Sequence, residues 1–104
     1  MKKNYNKLVR DKIPQIIESK GGKATITKLN DNEYLKELNK KLQEEINEYL
    51  FSEEVEELAD IQEVIYAIVK AKGIKINDFE TIRLNKVEKR GAFENKIFLV
   101  DVEE

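Results

Sequence analysis

The chain has 104 residues, a formal net charge of -2, 38% charged residues, and neither cysteine nor histidine. That length predicts a single domain spanning residues 1–104, and the missing residue types exclude disulfides, thiolate zinc sites and imidazole bases. The balanced charge argues against nucleic-acid binding, and no apolar run is long enough for a signal peptide or a membrane span, which predicts a cytoplasmic protein.

The N-terminal segment KLVRDKIPQIIESK, residues 7–20, predicts a short helix preceded by basic residues. Pro14 is tolerated in a first helical turn, and the glycines at 21–22 supply the end. The basic residues are either solvated surface charges, one of them paired with Asp11, or ligands for an anion. They are Lys7, Arg10 and Lys12.

Two short segments rich in β-branched and other apolar residues predict strands. Ala24–Leu29 alternates after a Gly-Gly turn, and Ile97–Val102 is the other β-rich run. Since each needs a partner, we expect the two segments to form an antiparallel ribbon that joins the ends of the chain.

A first long helix is predicted from Asn30 to about Leu50. Asn30 and Glu33 have the spacing of a capping box, with asparagine in place of the usual serine or threonine. Residues three and four apart then form one inner stripe: Leu35, Leu38, Leu42, Glu45 and Tyr49. A carboxylate therefore occupies a predicted core position.

A second long helix is predicted from about Glu53 to Lys72. A tight connection at residues 51–52 precedes it, with Ser52 as the N-cap, and Gly73 ends it. Its apolar residues cover a wide arc, in two stripes: Leu58, Ile61, Ile65 and Ile68, and beside them Glu57, Asp60, Val64, Ala67 and Ala71. One small subunit offers few neighbours for so wide an arc, which predicts oligomerisation.

Carboxylates from both long helices are expected to converge. The short connection makes the helices antiparallel neighbours, so the pairs Glu45/Glu48 and Glu57/Asp60 lie at similar height. Like charges at an apolar seam are costly unless cations offset them, and Mg²⁺ prefers oxygen ligands. The spacing predicts a Mg²⁺ site for handling phosphates, with Mn²⁺ as an alternative ion. The competing interpretation rotates these glutamates towards solvent.

A third helix is predicted from Asn77 to about Arg90. Asn77 and Glu80 repeat the capping-box spacing, and Gly91 supplies the end. The residues expected to face inward are Phe79, Ile82 and Val87. A basic stripe on another side is either a solvated face or part of an anion site, and consists of Arg83, Lys86 and Arg90.

Four motifs carry a resemblance to a known family. The acidic blocks EEINE (44–48) and ELAD (57–60) on consecutive helices resemble the signature of the MazG-like all-α nucleoside triphosphate pyrophosphohydrolase superfamily. The opening KLVRDKIPQII and the closing RGAFENKIFLV are similar to its small phosphoribosyl-ATP pyrophosphohydrolase-like branch. The predicted fold class is therefore mainly α, an antiparallel helical hairpin or bundle of the MazG-like type, with the small two-stranded β ribbon joining the chain ends.

The resemblance implies Mg²⁺-dependent cleavage of a nucleotide between its α and β phosphates, giving a monophosphate and pyrophosphate. By motif position, the metal ligands would be Glu45, Glu48, Glu57 and Asp60. Glu44 would orient or deprotonate the attacking water, or act as a further ligand. The groups expected to bind the substrate phosphates are Arg10, Lys12, Lys86 and Arg90, with Lys7 and Lys96 as weaker candidates. The resemblance also implies a homodimer or homotetramer with sites near subunit interfaces.

Two other functions compete with the leading hypothesis, a pyrophosphohydrolase that removes unwanted nucleotides from the nucleotide pool. A non-catalytic helical module could use the carboxylates only to bind a cation or a basic partner, but such a module would be expected to lose ligands, and all four are present. A DNA regulator lacks both a basic face and a helix-turn-helix pattern. Neither spacing nor resemblance identifies the base of the nucleotide.

Overall fold

A computed structural model describes all 104 residues and contains four α-helices and no β-strand. The helices are α1 (Ile13–Ser19), α2 (Asp31–Ser52), α3 (Val55–Ala71) and α4 (Ile76–Arg90). The predicted mainly α fold class and the four predicted helices are thus confirmed, with shifted ends. None of the four has the length and the apolar composition that crossing a bilayer requires.

The centre of the fold is the hairpin of α2 and α3. These two helices make the most extensive contact in the chain, and α4 packs against α3 alone. The buried apolar side chains are Leu38 on α2 and Val69 on α3. The predicted inner stripe of α2 is confirmed, because Leu35, Leu42 and Tyr49 are half-buried beside them.

The capping box predicted at the start of α2 is present. The Glu33 N–H donates to Asn30 Oδ1 at 2.9 Å, and the Asn30 N–H donates to Glu33 Oε1 at 3.4 Å. These two bonds satisfy backbone donors that the first turn of a helix otherwise leaves unpaired. Asparagine therefore serves here as serine or threonine usually does.

The connection between α2 and α3 differs from the prediction. α2 continues through Ser52, and Glu53 ends it in the left-handed conformation at φ 57°. The N-cap of α3 is Glu54, so the prediction of Ser52 as N-cap was wrong. The Ser52 hydroxyl instead accepts a hydrogen bond from the Glu54 N–H at 3.2 Å, which stabilises the turn.

The start of α4 also differs from the prediction. Its N-cap is Lys75, and no side chain caps the helix, so the capping box predicted at Asn77 is absent. Asn77 already lies in the first turn, where its carbonyl accepts a hydrogen bond from the Thr81 hydroxyl at 3.1 Å. Of the three residues expected to face inward, Phe79 is half-buried, whereas Ile82 and Val87 are exposed in the single chain.

The predicted β ribbon is not formed. Neither Ala24–Leu29 nor Ile97–Val102 contains a strand, and the second segment is exposed along its length. An isolated two-stranded ribbon is marginal in water unless a third strand or a helix covers one face, and no such cover is present within one chain. Strand propensity alone was therefore an insufficient basis for the pairing.

The single chain is extended and leaves much apolar surface in solvent. Its radius of gyration is 18.4 Å and its dimensions are 63 × 32 × 24 Å, against a radius of about 13 Å for a compact domain of this length. Its accessible surface is 9990 Å², against roughly 6,000 Å² for a compact monomer of this mass. No Cα atom of α1 lies within 8 Å of another helix.

Candidate metal centre

Five carboxylates from α2 and α3 meet beside the hairpin and are here called the acidic cluster: Glu44, Glu45, Glu48, Glu57 and Asp60. Their oxygen atoms form two triplets, each with all ligand atoms within 4.8 Å of one another. One triplet is Glu44, Glu45 and Glu48, and the other is Glu45, Glu57 and Asp60. Each triplet is arranged so that it could hold a metal ion, and Glu45 belongs to both.

Glu45 is the buried member of the acidic cluster. Its exposed fraction is 7%, which confirms the predicted core position, and its Oε2 atom has no hydrogen-bond partner. Burial, together with the neighbouring Glu48, raises the pKa of this carboxyl. Buried polar atoms in native proteins are almost always satisfied, so an orphaned carboxylate oxygen calls for an absent partner. A cation held between Glu45 and either set of neighbours would supply it, so the residues present fit a metal ion.

On α3, the pKa of Glu57 is raised in the same way as that of Glu45. Partial burial raises its pKa first, and the negative charges of Asp60 and Glu45 raise it further. Both causes disfavour the ionised form when no cation is nearby. A divalent ion would counteract both causes and favour the ionised form of Glu57, because it replaces lost solvation and offsets the repulsion among the carboxylates.

Three basic side chains already contact the acidic cluster. Lys7 Nζ lies 3.0 Å from Glu44 Oε1, and Arg10 Nη2 lies 2.6 Å from Asp60 Oδ1. Lys41 Nζ lies 3.5 Å from Glu44 Oε1 and 3.3 Å from Glu45 Oε1. Since three cations face five carboxylates, the cluster keeps an excess of negative charge that favours a further cation.

The pair between Lys7 and Glu44 shifts both groups. The hydrogen bond from Lys7 lowers the pKa of Glu44, and the same contact raises the pKa of Lys7. Glu44 therefore holds its negative charge at neutral pH but is a weak proton acceptor. This chemistry suits a residue that orients a water molecule better than one that removes its proton.

The basic residues predicted to bind phosphate lie in different places. Arg10 and Lys7 lie at the acidic cluster, whereas Lys12 is the N-cap of α1 and forms no ion pair. Lys86 and Arg90 line a separate cavity at the end of α4, shared with Arg83 and with no member of the cluster. The remaining predicted residue, Lys96, lies in the irregular C-terminal segment.

Lys41 is the residue at the acidic cluster that the sequence analysis missed. It lies three residues before Glu44 and four before Glu45 on α2. Side chains at these spacings are neighbours on a helix, so the local pattern could have identified it.

A cavity of about 380 Å³ opens next to the acidic cluster. Three of its lining residues belong to the cluster, namely Glu44, Glu48 and Glu57. The others follow along the last turns of α2: Asn47, Phe51 and Ser52. The carboxylates therefore face a space large enough for part of a small-molecule ligand.

A scan of the chain against models of protein families, a search of curated proteins and a search of solved structures each found no match. Assignment of chemistry to the acidic cluster therefore rests on its own residues. Their decisive properties are the convergence of two helices, the unpartnered oxygen of Glu45 and the open cavity alongside.

Proposed function

We propose that the chain is a Mg²⁺-dependent nucleotide pyrophosphohydrolase of the MazG-like superfamily, in its phosphoribosyl-ATP pyrophosphohydrolase-like branch. It would cleave a nucleoside triphosphate or a related nucleotide between the α and β phosphates. The observation that supports this best is the convergence of the other three residues assigned as ligands on Glu45, which is buried and has one carboxylate oxygen without a partner. The motif resemblance contributes the reaction, and the cavity beside the cluster offers room for a substrate.

In this proposal each member of the acidic cluster has a defined task. Glu45, Glu48, Glu57 and Asp60 would hold one or two cations, and Glu45 would be shared because it belongs to both triplets. A bound Mg²⁺ would neutralise the phosphates and lower the pKa of the attacking water. Glu44 would accept a hydrogen bond from the attacking water and orient it towards the phosphate, a task compatible with its lowered pKa.

Lys7 and Arg10 are the cations best placed to bind the substrate phosphates. Both contact half-buried members of the acidic cluster from the N-terminal segment, which precedes α1. An ammonium and a guanidinium that now pair with carboxylates would transfer these hydrogen bonds to phosphate oxygens when a nucleotide enters. Arg10 offers the planar, bidentate geometry that phosphate recognition favours.

Replacing Arg10 by glutamine distinguishes the effect of its ion pair with Asp60 from that of its proposed contact with the substrate phosphates. We expect affinity for Mn²⁺ alone to rise by up to about fivefold, because Asp60 loses a competing cation and an exposed pair contributes at most about 1 kcal/mol. Affinity for a Mg²⁺–nucleotide complex is expected to fall, because a phosphate ligand is lost. Calorimetric titration measures both.

The matched control for Arg10 is Arg83→Gln. Arg83 pairs with Glu80 at 2.8 Å on α4, away from the acidic cluster. This variant should leave both affinities as in the wild type. A fall of both affinities in Arg10→Gln would show that Arg10 supports the structure of the site and does not bind phosphate.

We also propose that the protein works as a homodimer or homotetramer. The surface in excess of a compact monomer is roughly 4,000 Å² per chain, so two chains have ample surface for an obligate interface, which buries 2,000–5,000 Å² or so counted over both partners. Exposed apolar residues occur on every helix, and α1 contacts no other helix. Association would cover these surfaces.

Light scattering coupled to size-exclusion chromatography should give a molar mass of at least twice the 12.2 kDa of one chain. The mass should stay constant on dilution to the low micromolar range, because an obligate oligomer has no stable folded monomer to release. A stable, monodisperse species with the mass of one chain would contradict the proposed assembly.

The function is tested by product analysis on a panel of nucleotides. Ordinary and oxidised or deaminated nucleoside triphosphates and phosphoribosyl-ATP would be incubated with and without Mg²⁺, and the products separated by ion exchange. We expect a monophosphate and pyrophosphate from at least one substrate, with Mg²⁺ only. Release of orthophosphate with a diphosphate would contradict the bond assigned, and no reaction with any substrate would favour the non-catalytic cation-binding module.

A further inference from the structure

We propose that Phe51 and Asn47 form the binding site for the base of the nucleotide, beside the carboxylates that handle its phosphates. The inference rests on the proposed function and extends it to the class of substrate. It implies a ligand with a planar aromatic ring that presents a hydrogen-bond acceptor at its edge. Inorganic polyphosphates and sugar phosphates lack such a ring.

The two residues continue the same side of α2 that contributes to the acidic cluster. Asn47 and Phe51 follow Glu44 at intervals of three and seven residues, so the three side chains lie on one face. Seven residues of α-helix advance about 10 Å along the axis. A nucleoside triphosphate with its phosphates at Glu44 and its base at Phe51 would lie along this face. All three residues line the same cavity.

Phe51 has no packing role within the chain. Its exposed fraction is 93%, although it lies on the last turn of a well-formed helix, and it is the one hydrophobic residue that lines the cavity. Aromatic side chains stack on nucleobases whatever the base, because every base offers a π face. A phenyl ring that lines a cavity otherwise formed by polar residues is therefore suited to hold a base.

Asn47 supplies a polar contact with a set direction. Its Oδ1 accepts a hydrogen bond from Gln43 Nε2 at 3.0 Å, one turn earlier on α2. That bond leaves the amide N–H groups of Asn47 free to donate into the cavity it lines. A ring nitrogen or carbonyl at the edge of a base would accept from them, so Asn47 would set preference among bases.

The test compares Phe51→Ala with Leu50→Ala. Leu50 is the neighbouring exposed apolar residue at the same end of α2, but it does not line the cavity. Binding to each protein would be measured by calorimetry with Mg²⁺ and two kinds of probe: the α,β-methylene analogues of ATP, GTP, CTP and UTP, and inorganic tripolyphosphate. The methylene bridge replaces the oxygen of the bond proposed to be cleaved, so the analogues bind without turnover, and each tripolyphosphate titration would be checked for hydrolysis of its own anhydride bonds.

We expect Phe51→Ala to lower the affinity for the analogue that the wild type binds best by about 5- to 150-fold. Its affinity for tripolyphosphate should stay unchanged. Phe51→Tyr should restore the affinity, and Leu50→Ala should match the wild type. Asn47→Ala should change the order of preference among the four analogues. These results would assign the base site even if the product analysis found no hydrolysis, which separates the two proposals.

Two outcomes would overturn the base site. In the first, Phe51→Ala either leaves the affinity for the analogues unchanged or lowers the affinity for tripolyphosphate by the same factor. Either result would show that no contact to the base is lost. In the second, Phe51→Ala and Leu50→Ala both reduce the molar mass of the protein, which would place Phe51 in an interface between copies. Thermal melts of the variants establish that each is folded, as expected for a side chain with 93% exposure.

Discussion

Replacing Glu45 by glutamine is expected to lower Mg²⁺-dependent pyrophosphate release by about 100- to 1,000-fold, the range found when one preorganised electrostatic group is removed from an active site. Glu45 is the member of the acidic cluster common to both triplets, so the change weakens every metal position that the cluster offers. The amide keeps the size of the carboxyl but loses its charge. Initial rates across a Mg²⁺ titration would measure the loss.

Asp60→Asn should give a loss of similar size, because Asp60 completes the triplet on the side of α3. The matched control is Glu56→Gln, which removes an exposed carboxylate of α3 beside Glu57 that belongs to neither triplet. We expect it to retain wild-type activity. Equal activity in Glu45→Gln and Glu56→Gln would exclude the acidic cluster as the catalytic site.

Replacing Glu45 by leucine is expected to stabilise the metal-free protein by about 1–3 kcal/mol, the usual cost of a buried polar group left without a partner. Leucine would continue the stripe of Leu35, Leu38 and Leu42 into the hairpin core, and the orphaned Oε2 atom would be removed. The free energy of unfolding would be measured by urea denaturation in EDTA. A less stable variant would indicate that Lys41 already compensates the charge of Glu45.

The difference in the free energy of unfolding between Glu45→Leu and the wild type should depend on pH in a defined direction. Burial raises the pKa of Glu45 above its usual value of 4.5, so the folded protein binds this proton more tightly than the unfolded chain does. Its contribution to stability is therefore present below pH 4.5 and is lost as the pH rises through the folded-state pKa. The advantage of Glu45→Leu should be small at pH 4 and should grow above 4.5. An advantage independent of pH would assign it to packing alone.

Periodicity was sufficient to predict the hairpin and its carboxylates. Leucines spaced by three and four residues define one face of α2, and Glu45 falls on that face. A connection of two residues, Glu53 and Glu54, then brings the start of α3 to the end of α2. Both constraints are local, which is why the convergence of Glu45 with Glu57 and Asp60 could be predicted without a structure.

Features that depend on distant contacts were harder to predict. The basic residues of the N-terminal segment were identified, but the pairing of Arg10 with Asp60, 50 residues away, is set by tertiary packing. The β ribbon failed for a related reason, since strand propensity does not say whether anything covers a strand. The capping-box spacing correctly predicted the box at Asn30. It was wrong at Asn77, because α4 starts before that motif.

The most direct test of the acidic cluster as a divalent-metal centre is a titration of the metal-free protein with Mn²⁺, followed by electron paramagnetic resonance. It needs neither a substrate nor knowledge of the base. We predict saturable binding of one or two ions per chain in the wild type, a large loss of affinity in Glu45→Gln and Asp60→Asn, and unchanged binding in Glu56→Gln. Equal Mn²⁺ binding by all four proteins, or no binding by the wild type, would contradict the metal centre and the hydrolase built on it.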